Sequence, residues 1–219
     1  MPEAARRVLL SAEAGRTMET PKPGDQAFAR VTHELVASNR LALDAAAQRA
    51  RELGLVARVQ DAPLSGEALT VGAELAAGLL HNCARQELPQ PNSAPARCWI
   101  WGGETTVNLG DGAAGLGGRC QELALSAAKQ LASASGGIAL LAAGTDGRDG
   151  PTDAAGAVVD FRTWRAIRQA DRDPDVDLKS HNAYHALDAA GALLRPGLTG
   201  TNVMDVVIGI CGPDGDRGR

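Results

Sequence analysis

Apolar residues recur at helical spacing early in this chain and gather into short unbroken runs later. Ala42, Ala46, Ala50 and Leu53 fall on one face of a helix predicted over Arg40–Leu53, with Ser38 or Asn39 placed to cap its start and Gly54 its end. Ala68, Gly72, Leu75, Leu79 and Cys83 mark the buried stripe of a second helix, and Leu55–Val59 between the two reads as a strand. Upstream, Pro2–Ala14 forms a short helix stopped by Gly15, followed by a turn-rich connector at Pro21, Pro23 and Gly24. Phe28–Val36 mixes β-branched and polar residues and is expected to be a strand, which makes the order β, α, β, α, the pattern of a parallel sheet covered by helices.

Pro89, Pro91 and Pro95 then interrupt the pattern, and a domain boundary is placed there, dividing 1–90 from 91–211. Beyond it, Cys98–Trp101 is a strand that Gly102 and Gly103 break or bulge. A glycine run from Gly110 to Gly118 leads through Arg119 into a helix over Gln121–Leu131, and Ile138–Ala143 is a buried strand. A helix over Thr163–Ala170, a solvated acidic loop around Pro174, a helix over His181–Leu194 and a strand over Asp205–Ile210 complete the pattern. Residues 212–219 are expected to be a disordered tail.

Composition narrows the class. The 219 residues are 44% hydrophobic but only 3% aromatic, so the core is built of small aliphatic layers. A net charge of -4 with interspersed signs argues against a nucleic-acid surface. No apolar run reaches membrane-spanning length. Cys83, Cys98, Cys120 and Cys211 are far apart without a CxxC pair, which suits a reducing compartment, and the chain is expected to be cytoplasmic.

The candidate chemistry sits after the Ile138–Ala143 strand. The stretch GTDGRDGPTDAAGA, Gly144 to Ala157, places Asp146, Asp149 and Asp153 at a strand's carboxyl end, where ligands of open α/β sheets bind. Carboxylates spaced by glycines suit Mg²⁺, a hydroxyl-bearing substrate, or both; a solvated Asp/Gly turn is the competing reading. Gly110, Gly112 and Gly115 spell GxGxxG, but the helix begins several residues later and no acidic residue ends the next strand, so a dinucleotide fingerprint is discounted. The amides of Gly117 and Gly118 at a helix mouth, with Arg119 beside them, still make an anion site. His181 and His185 are one turn apart, without a third ligand at a metal-like spacing.

Four blocks together carry a resemblance: GGETTV (Gly102–Val107), GLGGRCQELAL (Gly115–Leu125), GTDGRDGPTDAAGA, and TGTNVMD (Thr199–Asp205). In this order they resemble the MOFRL domain of the class II glycerate 2-kinases, a family often labelled hydroxypyruvate reductase in bacteria. TPKPGDQAF (Thr20–Phe28) and ASNRLALDAAAQRARELG (Ala37–Gly54) are similar to the end of the family's N-terminal kinase domain. Cys120 stands where the family commonly has asparagine, and Leu198 where it has proline.

The resemblance implies a MOFRL-type α/β domain, a mixed sheet flanked by helices, preceded by the remnant of a Rossmann-like α/β domain. It implies ATP- and Mg²⁺-dependent phosphorylation of D-glycerate or a related hydroxy acid. Arg119 and Asp146 would be catalytic. Glu104, Thr105, Gly117, Gly118, Thr145, Thr201 and Asn202 would bind substrate or phosphate, and Asp149 and Asp153 would hold the metal. Family members are about twice this length, so the chain is expected to be inactive alone and to need an N-terminal half or a homo-oligomeric partner. A NAD(P)H-dependent reductase and a non-catalytic binding or dimerisation module are the alternatives.

Overall fold

A computed structural model describes residues 1–18, 20–84, 95–110 and 115–212. The described chain forms two compact units, Met1–Val36 and Ala37 onward. The first holds helix α1 (Glu3–Glu13) and a 3-10 turn at Gln26–Phe28 capped by the Asp25 carboxylate. The expected strand over Phe28–Val36 is not formed: after the turn the backbone runs irregular and exposed. A strand needs a neighbour for its amides and carbonyls, and the described residues of this unit include no other strand.

The second unit carries the sheet. Helix α2 (Asn39–Glu52) starts where Ser38 Oγ accepts from the Leu41 amide, and Gly54 follows its end with a left-handed φ of 83°. Strand β1 (Val56–Val59) leads to helix α3 (Ala68–Ala84), whose Ala68, Val71, Gly72, Ala76 and Leu79 are buried. Strand β2 (Arg97–Gly103), helix α4 (Arg119–Leu131), strand β3 (Ile138–Gly144) and strand β4 (Gly156–Asp160) follow. Helices α5 (Thr163–Gln169), α6 (Pro174–Lys179) and α7 (Ala183–Ala189), strand β5 (Leu193–Leu194) and strand β6 (Asp205–Cys211) complete it.

The sheet order is β1-β2-β6-β3-β4-β5. Among the described strands only β1 and β2 pair in parallel; β6 lies antiparallel between β2 and β3, and β4 runs antiparallel to β3. The parallel pattern suggested by the first elements therefore stops at one pair. The expected boundary at 90/91 lies outside the described residues, and β1 and β2 on either side of it share one sheet. The tail beyond Gly212 lies outside the described residues as well.

Three expectations are corrected locally. Gly102 and Gly103 stay inside β2, because a side chain at Gly102 would collide with Asn39 and Leu43 of α2, so glycine here serves helix–sheet packing. Pro174 opens α6 instead of keeping the segment a loop: it occupies the first turn, and Asp173 accepts from the amides of Asp175 and Val176. Nor is this acidic stretch wholly solvated, since Pro174, Asp177 and Leu178 are buried. The helix expected over His181–Leu194 is confined to α7, because Gly191 turns with φ 64° and Leu193–Leu194 pair with β4.

The cysteine reading is corrected too. Cys83 at the end of α3 and Cys211 in β6 are joined by a disulfide, while Cys98 and Cys120 are free and buried. The sequence conceals the pair, because its members lie 128 residues apart and meet only through packing.

Candidate functional site

Register concentrates the chemistry at one end of the central strands. Asp205, the first residue of β6, lies opposite Gly103 of β2 and Gly144 of β3. It is 3% exposed, and its carboxylate takes the Arg119 guanidinium in a fork, Nε to Oδ2 at 2.7 Å and Nη2 to Oδ1 at 3.0 Å. Arg119 Nη1 reaches Glu104 Oε1 at 3.0 Å. Hydrogen bonding to Asp205 holds the guanidinium well above even the usual arginine range, so its charge is permanent.

The loop before β6 closes over the end of β3. Thr145 Oγ1 donates to the Met204 carbonyl at 2.7 Å and accepts from the Val203 amide at 2.8 Å. Asp146 Oδ1 accepts from the Arg148 amide at 3.0 Å, and Asn202 Nδ2 approaches Asp146 Oδ2 at 3.5 Å. Thr199 Oγ1 donates to the Thr145 carbonyl at 2.5 Å and accepts from the Thr201 amide at 3.4 Å, and Asn202 Oδ1 accepts from the Met204 amide. Asn39 Nδ2 ties the start of α2 to this loop by donating to the carbonyls of Val203 at 2.7 Å and Asp205 at 3.1 Å. Arg119, Glu104, Thr145, Asp146 and Asn202 are thus linked to one neighbourhood through Asp205 and the loop from Thr199 to Met204. Thr105 is buried beside Glu104 in sequence.

Asp149 is placed differently. Its oxygens accept from the amides of Cys120 at 3.2 Å and Gln121 at 2.8 Å, so the anion at the mouth of α4 is the protein's own carboxylate. Gly118 at the helix start admits that carboxylate, which a Cβ would strike. Gln121 Nε2 donates to the Asp149 carbonyl and to Thr152 Oγ1, fixing the loop from the other side. Burial raises the Asp149 carboxyl from 3.8 to about 6 against the lowering effect of the two amides. Burial, together with the charges of Asp149 and Asp205, also pushes the Cys120 thiol well up, so it stays protonated.

Asp153 is exposed and engaged elsewhere. It accepts from Tyr184 Oη at 2.8 Å and Arg195 Nε at 3.1 Å, and the Tyr184 bond above all holds it below the usual carboxylate range. The two aspartates expected to share a metal are thus committed to different partners. No grouping of three or more His, Cys, Asp or Glu able to hold a metal ion occurs among the described residues. His181 does not pair with His185 toward a metal; its Nδ1 lies 2.8 Å from Glu122 Oε2.

The end of the glycine loop is pinned before α4. Leu116 donates its amide to Asn182 Oδ1 at 3.1 Å, and Gly115 donates to the Ser180 carbonyl. Asn182 in turn donates to Asp177, which Arg172 grips with two bonds. Gly112 of the discounted GxGxxG lies outside the described residues. Asp205 and Asn39 are site residues that sequence reasoning misses; the only signal for either is its place inside a conspicuous block.

Known proteins resemble this arrangement over nearly its whole length. Glycerate 2-kinase of Pyrococcus horikoshii is 38% identical over 212 residues, 96% of this chain and 46% of that protein. An Agrobacterium vitis protein whose name carries hydroxypyruvate reductase is 41% identical over 206 residues, 94% of this chain and 44% of its own. The crystal structure of glycerate kinase from Thermotoga maritima superposes with a TM-score of 0.76 at 34% identity, covering 95% of this chain and 50% of that one. The chain spans about half the length of the curated relatives it matches. Residues 97–205, from the first residue of β2 to Asp205 itself, match the MOFRL family model, and this segment of the chain belongs to the MOFRL family.

Proposed function

We propose that this chain contributes one half of the working site of a glycerate 2-kinase, which transfers a phosphoryl group from ATP to D-glycerate or a closely related hydroxy acid. The observation that carries the reading is the fixed guanidinium of Arg119 at the tips of β2, β3 and β6, beside Asp146 and the polar loop ending in Asn202. Both the glycerate carboxylate and the transferred group are anionic, so a permanently charged, pre-oriented arginine lowers the electrostatic cost of bringing them together. Asp146 is partly exposed and is the carboxylate here that can take the proton of a substrate hydroxyl. Thr145, Thr201 and Asn202 shape the polar wall, Glu104 and Thr105 flank it just past the end of β2, and Gly117 and Gly118 lead into Arg119 at the start of α4.

ATP supplies the phosphoryl group, and the cationic edge of Arg119 suits its anionic end. Mg²⁺ fits the expected ligands poorly, because Asp149 spends its oxygens on two amides and Asp153 on Tyr184 and Arg195. We therefore assign Asp149 to holding the loop against α4 and Asp153 to a surface cluster with Tyr184 and Arg195. A further segment or a second subunit supplies the rest of the site.

Isothermal titration of the chain with D-glycerate and with Mg-ATP tests the reading. Heat from glycerate that disappears in Arg119→Ala is expected; no heat from either ligand would leave a non-catalytic module. Loss of nicotinamide absorbance with hydroxypyruvate would instead favour the reductase named for the Agrobacterium vitis relative.

A further inference from the structure

We infer that Asp205 is a positioning residue for Arg119, and that Glu104 is a stand-in anion that an incoming carboxylate or phosphate displaces; this rests on the reading that Arg119 meets an anionic substrate. A guanidinium offers two bidentate edges. Asp205 occupies the edge formed by Nε and Nη2, which leaves Nη1 and the outer edge for another anion, and in this structure Glu104 takes Nη1.

The two carboxylates are unequal. Asp205 has 5% of its side chain exposed and makes a bidentate, charge-assisted contact, whereas Glu104 is 51% exposed and makes a single one. Their backbones differ in the same sense. Asp205 is held between Gly103 and Gly144 by the sheet, and its carbonyl accepts from Asn39. Both cross-strand neighbours are glycines packed close to backbone: a Cβ on Gly103 would meet the Leu64 backbone, and one on Gly144 the Arg148 carbonyl at 2.8 Å. Glu104 lies just past the last residue of β2, fastened by its amide to the Leu64 carbonyl while its side chain extends into solvent. Exchange of Glu104 for a substrate anion keeps Arg119 paired throughout, and the arginine does not reorient because Asp205 never lets go.

The test joins arginine NMR of the full chain with titration of D-glycerate. In the unaltered protein, rotation about the Arg119 Nε–Cζ bond is expected to be slow enough to give separate Nη signals with a protected Hε. Asp205→Asn should merge them, speed Hε exchange at least about ten-fold, and weaken D-glycerate by on the order of ten-fold or more. Glu104→Gln should leave the Hε protected and bind D-glycerate about three- to five-fold tighter. Freely rotating Nη groups in the unaltered protein, a check that needs no variant to fold, would overturn the role of Asp205. Glycerate binding unchanged or weakened in Glu104→Gln would overturn the role of Glu104. A rigid Arg119 in a chain that ignores glycerate in every form would keep the positioning and sink the kinase reading along with the exchange.

Discussion

Asp149 closes the amino end of α4, its two oxygens accepting from the amides of Cys120 and Gln121 at 3.2 and 2.8 Å. The bonds favour the carboxylate, but burial wins and the carboxyl is raised from 3.8 to about 6. A carboxyl raised by folding stabilises the native state fully below its unfolded value, and that stabilisation is lost as pH climbs through the folded value. The carboxyl moves by about two pH units at roughly 1.4 kcal/mol each, so the fold loses ~3 kcal/mol from this group as pH climbs from about 4 to 7. Urea unfolding of the chain and of Asp149→Asn across that window measures it. The stability difference between them should shift against the unaltered protein as pH rises, and parallel curves would remove burial as the governing effect.

Gly150 links the same loop to the glycine run. Its φ is 60°, and a Cβ there would strike the Gly117 carbonyl. Gly150→Ala combines a left-handed backbone with a backbone collision and should cost about 3 kcal/mol or more. Thermal unfolding reads the loss, and a change within about 0.5 kcal/mol would show that Gly117 can move aside.

Asn182 joins the glycine run to α6 by receiving the Leu116 amide and donating to Asp177. Asn182→Ala should leave the Leu116 amide without its partner, while Asp177 keeps Arg172, at a cost of about 1–3 kcal/mol. Amide exchange at Leu116 should quicken well before global unfolding; exchange that stays coupled to global unfolding would assign the loop's order to other contacts.

The Cys83–Cys211 disulfide closes a span of 128 residues. Reduction, or Cys83→Ser, should lower stability by roughly 2–4 kcal/mol. Non-reducing peptide mapping should find the two cysteines linked, while Cys98 and Cys120, both buried, resist alkylation until unfolding.

Much of the fold is legible in the sequence because its signals are local. Ser38 and Gly54 bracket α2, the apolar run at Ile138 is β3, and the helical stripe of α3 falls where spacing puts it. Residue type without context misleads. Pro174 reads as a breaker until Asp173 makes it a helix opener, and β4 escapes notice because its Gly156 and Ala157 continue a loop-like motif until they meet β3. The site shows the same division. Arg119 and the Gly144–Ala157 motif are conspicuous in one dimension. The partners that decide their roles are not, because Asp205 lies 86 positions from Arg119, and Asp149 lies 28 from the Gln121 amide it caps. Three aspartates that look equivalent in sequence separate into one facing the polar loop, one buried cap and one surface partner.

The position of β6 has a consequence for how the protein is made. The last strand among the described residues is laid between β2 and β3, and it brings Asp205 with it. While a ribosome is still extending the nascent chain, the earlier strands wait with an unfilled gap between them and Arg119 has no counter-charge at its fork. Productive closure is thus a late, long-range event, and any stalling before Asp205 leaves two open strand edges available to chaperones or to neighbouring copies.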